Sequence, residues 1–164
     1  MARKVFFSFH YNPDNSRASQ VRNMGVIEGN APVTDNDWEK VKGGGDAAIS
    51  KWIAEQLEGK SCTVVLVGEN TAGRKWITHE IIESWNGKKG VVGIRIHKLK
   101  DLNQAQARIG GNPFDSVSLG DNKLTACAKL YEPPYSDSKQ VYNYIKENLS
   151  VWVEEAITIR GNYS

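Results

Sequence analysis

Trp76 and Glu80 stand four residues apart in the stretch GENTAGRKWITHEIIESW (68–85), with His79 and Glu83 beside them. On a helix that spacing places the aromatic ring and the carboxylate on one face, a turn apart. Ile77, Ile81 and Trp85 recur at the same spacing and form a stripe that faces a sheet, with Ile82 and Ser84 flanking it. Glu80 is therefore expected at the border of the buried face, in a neighbouring stripe with Trp76 that Glu83 extends. Desolvation at such a border disfavours the charged form, raises the pKa and suits a carboxylate to chemistry. The competing reading is a solvated helix face whose Trp covers the edge of the core. Spacing alone leaves both open.

The elements that position these residues follow from apolar patterning. KVFFSFHY (4–11) reads as a first strand buried on both faces. NPDNS (12–16) has turn chemistry, and Ser16 is placed to cap a helix through RASQVRNMGVI. The polar, Gly- and Pro-containing segment 28–45 reads as a long loop with a short helix near Trp38, and long ordered loops are often functional. Asp46 is expected to cap the next helix, which buries Ile49, Ile53 and Leu57 and ends at Gly59. SCTVVLVG (61–68) is a second strand, the Trp76–Glu80 helix spans about 73–86, and GVVGIRIHKL (90–99) is a third strand. Residues 101–122 read mostly as loop, LTACAKLYE (124–132) as a short strand, and Val141, Ile145, Leu149, Trp152, Val153 and Ala156 as the core stripe of a C-terminal helix. Alternation of buried strands with amphipathic helices predicts an α/β fold, a parallel sheet with helices on both faces, in a single domain over residues 1–164.

In open parallel sheets ligands bind beyond the carboxyl ends of the strands. Ser8, Phe9 and His10 end the first strand, and the loop GENTAG ends the second, so these residues and the start of the Trp76–Glu80 helix are expected to converge.

Composition narrows the function classes. The chain has 164 residues, 40% apolar and 24% charged, with a net charge of +2, so no global basic field argues for nucleic acid. No apolar run is long enough for a membrane helix, and the N-terminus lacks the h-region of a signal peptide. Cys62 and Cys127 sit in apolar stretches and read as free thiols of a cytoplasmic protein. His10, His79 and His97 lack metal-ligand spacing, and GGGD (43–46) is not a phosphate-binding loop because no Gly-Lys-Ser/Thr follows.

Several stretches carry a family resemblance. KVFFSFHYNPDNSRASQVRN resembles the opening of TIR-like domains. GDAAISKWI, CTVVLVGENTAGRKWITHEI, VVGIRIHKLKD and GNPFD are similar, in order and spacing, to the bacterial TIR-like group of Thoeris anti-phage defence, over roughly residues 3–116. The most specific element is Trp-x-x-x-Glu, Trp76 to Glu80. Ile77 stands where that motif commonly has Cys, and the loop 28–45 is unlike the short loop of many receptor TIR domains.

The resemblance implies a flavodoxin-like fold and cleavage of NAD⁺ between nicotinamide and ribose. Glu80 matches the catalytic glutamate, and Ser8, Phe9, His10 and Trp76 match the substrate pocket. NAD⁺ is then a substrate, with no retained cofactor and no metal. The implied partners are a downstream effector that senses a cyclic ADP-ribose-type product, a phage trigger and further copies of the chain. Nicotinamide leaves as a neutral molecule, so one carboxylate suffices, where ordinary glycoside hydrolysis uses two. The alternative is a non-catalytic TIR-like interaction module, for which Glu80 would face open solvent.

Overall fold

The structure is a computed structural model, described over residues 3–27, 43–119 and 122–163. Its main sheet has four parallel strands in the order β1 (Val5–Ser8), β2 (Cys62–Val67), β3 (Gly90–Arg95) and β6 (Lys129–Tyr131). A short antiparallel pair, β4 (Ser118–Leu119) and β5 (Asn122–Lys123), lies between β3 and β6 in sequence. The helices are α1 (Tyr11–Arg22), α2 (Gly45–Leu57), α3 (Lys75–Asn86) and α4 (Ser138–Gly161), with 3₁₀ turns at Pro113–Ser116 and Leu124–Ala126.

Helices cover both faces, as the alternation predicts. Side chains in a strand alternate between faces. Phe7, Val64, Leu66, Val92 and Ile94 pack on one face with Ala18 and Val21 of α1 and with Val141, Ile145, Leu149 and Val153 of α4. Val65, Val67 and Val91 pack on the other face with Ile77, Ile81 and Trp85 of α3. Phe6 joins Ile49, Ile53 and Leu57 of α2 there. Ser8 lies two residues beyond Phe6, so it shares the α2–α3 face.

Three element assignments differ from expectation. Helix α1 starts at Tyr11, directly after its N-cap His10, so NPDNS is helical and Ser16 caps nothing. A proline in the first helical turn removes an N–H that has no intrahelical partner anyway. Helix α2 has Gly44 as its N-cap, and Asp46 lies inside the first turn, paired with Lys75 of α3 at 2.6 Å. The expected strand 124–132 is a 3₁₀ turn followed by the three-residue β6. Gly59 adopts φ +79° after α2, as a terminating glycine should. The loop expected at 28–45, with Trp38, lies mostly outside the described residues.

A buried cation of α1, Arg17, reaches the loop after β3. Arg17 donates from Nε to Leu99 O at 2.7 Å and from a terminal nitrogen to Ala105 O at 3.0 Å, and it pairs with Asp14 at 3.1 Å. It thereby ties α1 to the loop after β3. Gly110 of that loop rests against the backbone of Gly68 and Glu69, where an added Cβ would stand 2.4 Å from Gly68 O. Glu69 accepts from the Arg108 N–H at 2.8 Å.

Candidate active site

Helix α3 buries Ile77, Glu80, Ile81, Ser84 and Trp85. These are the i, i+3, i+4, i+7 and i+8 positions of one face. Glu80 is thus within the buried stripe, deeper than the border expected for it, and only 8% exposed. Ile82, expected to flank the stripe, is exposed, as is Glu83.

The carboxylate meets the end of β1. Ser8 Oγ donates to Glu80 Oε1 at 3.3 Å, and Ser8 is itself buried. Burial pushes the Glu80 carboxyl up to about 8, and the Ser8 hydroxyl pulls weakly the other way by stabilising the ionised form. Among the described residues no cation contributes to that balance, and none forms an ion pair with Glu80. A buried carboxyl without a counter-ion stays largely protonated at neutral pH until a cation arrives.

The backbone that carries Glu80 is also fixed. Ser84 Oγ donates to Glu80 O at 2.6 Å, and Thr63 of β2 lies 2.6 Å from Ser84 Oγ. Arg160 of α4 donates to Trp85 O at 2.9 Å and stacks over the Trp85 ring at 4.6 Å, which holds the C-terminal turn of α3.

The remaining candidate residues are placed as follows. His10 is half-buried at the head of α1, and its Nδ1 is buried with no hydrogen-bond partner among the described residues. Burial, and after it the neighbouring Arg74 charge, hold its pKa below the ordinary value and so favour the neutral ring. Trp76 packs against the Phe6, Ile49, Ile53 and Leu57 cluster, with His79 edge-on at 5.4 Å and Lys75 Nζ over its ring at 4.8 Å. Phe9 packs against the other cluster, on the α1–α4 side, with the Arg22 guanidinium 5.7 Å from its ring. The structure therefore brings Ser8 and Glu80 into contact and places Phe9 and Trp76 in different apolar clusters. A groove of about 510 Å³ between Gln20, Lys100 and Ser138 is lined by other residues.

Residues 6–101, which contain Ser8, Phe9, His10, Trp76 and Glu80, match the family described as Thoeris protein ThsB, TIR-like domain. The chain belongs to that family. It is also 38% identical over 137 residues to a Bacillus cereus (strain MSX-D12) protein named "Putative cyclic ADP-D-ribose synthase ThsB1", covering 80% of this chain and 71% of the relative. Family membership agrees with the parallel α/β sheet observed here. Within this TIR-like domain, residue patterning missed the Thr63–Ser84 link and the Asp14–Arg17 pair. For Thr63 and Ser84 the signal was present, as polar residues within an apolar strand and beside an apolar stripe; for Asp14 and Arg17 no apolar pattern marked the buried face at the start of α1.

Proposed function

We propose that the chain cleaves NAD⁺ between nicotinamide and ribose and captures the ribosyl cation within the same molecule, yielding a cyclic ADP-ribose-type signal in anti-phage defence. The observation that carries this reading is Glu80, a buried carboxyl at the mouth of the sheet with a neutral hydroxyl partner and no counter-ion among the described residues. The name of the Bacillus cereus relative supports the cyclic product.

Glu80 acts in the reaction through charge. The nicotinamide ring of NAD⁺ is cationic, and its approach favours the ionised carboxyl, so binding releases a proton. As the glycosidic bond lengthens, positive charge moves onto the ribose, and the carboxylate stabilises it in a poorly hydrated setting. Nicotinamide departs with the bonding electron pair and needs no proton. Loss of such an electrostatic group typically costs about 3–4 kcal/mol, a hundredfold to a thousandfold in rate. The proposed substrate contacts are Ser8, His10 and Trp76, with Phe9 as a wall at the end of β1. His10 Nδ1, buried and without a partner among the described residues, is a polar atom that a bound ligand would satisfy.

The burial of Glu80 speaks for this reading over an interaction module, which needs no desolvated carboxyl. Where water is excluded, attack by an atom of the same molecule is favoured by proximity. Where water enters, linear ADP-ribose forms. Mass spectrometry of cells expressing the chain, before and after phage infection, tests the reading. The expected result is loss of NAD⁺, release of nicotinamide and a product one water lighter than ADP-ribose. Linear ADP-ribose alone would remove the cyclisation step, and unchanged NAD⁺ would remove the enzyme.

A further inference from the structure

We propose that Thr63 and Ser84 are positioning residues for Glu80: a hydroxyl chain from β2 into α3 holds the helical turn that presents the carboxylate to Ser8. This inference rests on the proposed role of Glu80 and goes beyond it, because both hydroxyls are fully buried and bond to each other and to the Glu80 backbone.

The direction of the chain is forced. Ser84 has one hydroxyl hydrogen, and the Glu80 carbonyl can only accept, so that hydrogen lies in the 2.6 Å bond to Glu80 O. Thr63 must then donate to Ser84 Oγ across the second 2.6 Å bond. Both residues have 0% exposure. A serine bonding to the carbonyl four residues back is common in helices and slightly distorts them. A strand hydroxyl that donates into that serine is a further constraint, linking the Glu80 turn to the sheet.

The two ends of Glu80 are thereby held by adjacent parallel strands. Thr63 is paired in register with Phe6, and Ser8 with Val65, so both hydroxyls come from neighbouring strands and face α3. β1 holds the carboxylate through Ser8, and β2 holds the carbonyl through Thr63 and Ser84. Stability alone does not require this arrangement. Replacing both partners of a buried hydrogen bond by apolar groups of similar shape is often nearly neutral, and Val and Ala fit the surrounding Val-rich strand and helix face.

The test uses Ser84→Ala and the near-isosteric Thr63→Val, with Ser84→Thr and Thr63→Ser as conservative variants that keep a hydroxyl. The first readout is the titration of Glu80, followed by ¹³C NMR of the side-chain carboxyl in the full chain, with Glu80→Gln to assign the signal. The inference expects Ser84→Ala and Thr63→Val to move the Glu80 midpoint by at least about half a pH unit, and the conservative variants to restore it. A midpoint unmoved in both apolar variants overturns it, whatever the activity. The second readout is nicotinamide release, where kcat should fall about tenfold with KM changed less than twofold. Wild-type kcat and pH profile in the folded apolar variants, with Glu80→Gln inactive, would overturn the positioning role and leave the proposed function standing. Full activity in Glu80→Gln would instead overturn the proposed function.

Discussion

Ser8 and Glu80 are separated by 72 residues of sequence, yet Ser8 Oγ lies 3.3 Å from Glu80 Oε1 in a buried setting. β1 delivers the hydroxyl because Ser8 follows Phe6 on the same face of the strand. α3 delivers the carboxyl because Glu80 shares the buried stripe of Ile77 and Ile81. The contact supplies Glu80 with one weak stabilising donor against a large desolvation cost, and the carboxyl stays near 8. The predictions below follow from that imbalance and from the packing around it.

In the proposed reaction Glu80 acts in its ionised form, and the free chain carries it mostly protonated below about pH 8. The profile of kcat/KM reports ionisations of the free enzyme. It should therefore rise with pH, pass its midpoint near 8 and level off above that. Ser8→Ala removes the donor that favours the carboxylate and should move that midpoint upward. A flat profile between pH 6 and 9 would contradict the assignment of Glu80.

Stability should show the same group with the opposite sense. The Glu80 pKa is raised from the ordinary 4.5 to about 8 on folding, so the folded state binds the extra proton between those values. Stability on this account is full below about pH 4.5, falls as pH rises by at most about 1.4 kcal/mol per unit, and is level above about 8. Glu80→Gln cannot titrate and should gain on wild type across that window. Urea denaturation at pH 5 and pH 8 measures the difference, and parallel stabilities would contradict it.

Much of this was legible in residue order. β2, α3, β3 and the stripe of α4 fall where apolar spacing puts them, because their inward faces are apolar. The start of α1 was not legible. Its inward face carries Asp14 and Arg17, both buried, so hydrophobic periodicity has nothing to register there and the Asn, Pro and Asp residues read as a turn. The same limit applies to the site. Glu80 was visible through its spacing from Trp76, but its full burial depends on Ser8 arriving from another strand. The placement of Phe9 with the α1–α4 cluster depends on strand alternation, which a shared position at a strand end does not reveal.

Arg17 is the second structural test. Its removal leaves Asp14 buried without its guanidinium and frees the carbonyls of Leu99 and Ala105. Arg17→Met should cost about 3–5 kcal/mol, the range for breaking a buried pair from one side. Asp14→Asn on that background should recover part of the loss, because the orphaned charge is then absent. A double variant no more stable than Arg17→Met would contradict the pairing as the source of the loss.

Close backbone approach makes two glycines sensitive. A Cβ on Gly90 would stand 2.7 Å from Ile157 N of α4, and one on Gly110 would stand 2.4 Å from Gly68 O. Neither neighbour is a flexible side chain, so backbone must shift. Gly90→Ala and Gly110→Ala should each destabilise by about 1–3 kcal/mol, the range for overpacking. Gly43→Ala, with open space around it, should change stability by less than about 0.5 kcal/mol. Thermal melts of the three variants separate these outcomes.

The central claim rests on nicotinamide release in phage-infected cells, compared between wild type and Glu80→Gln at equal levels of folded protein. The account predicts release and NAD⁺ loss with wild type, and a drop of at least a hundredfold with Glu80→Gln. Equal release from the two proteins would contradict it.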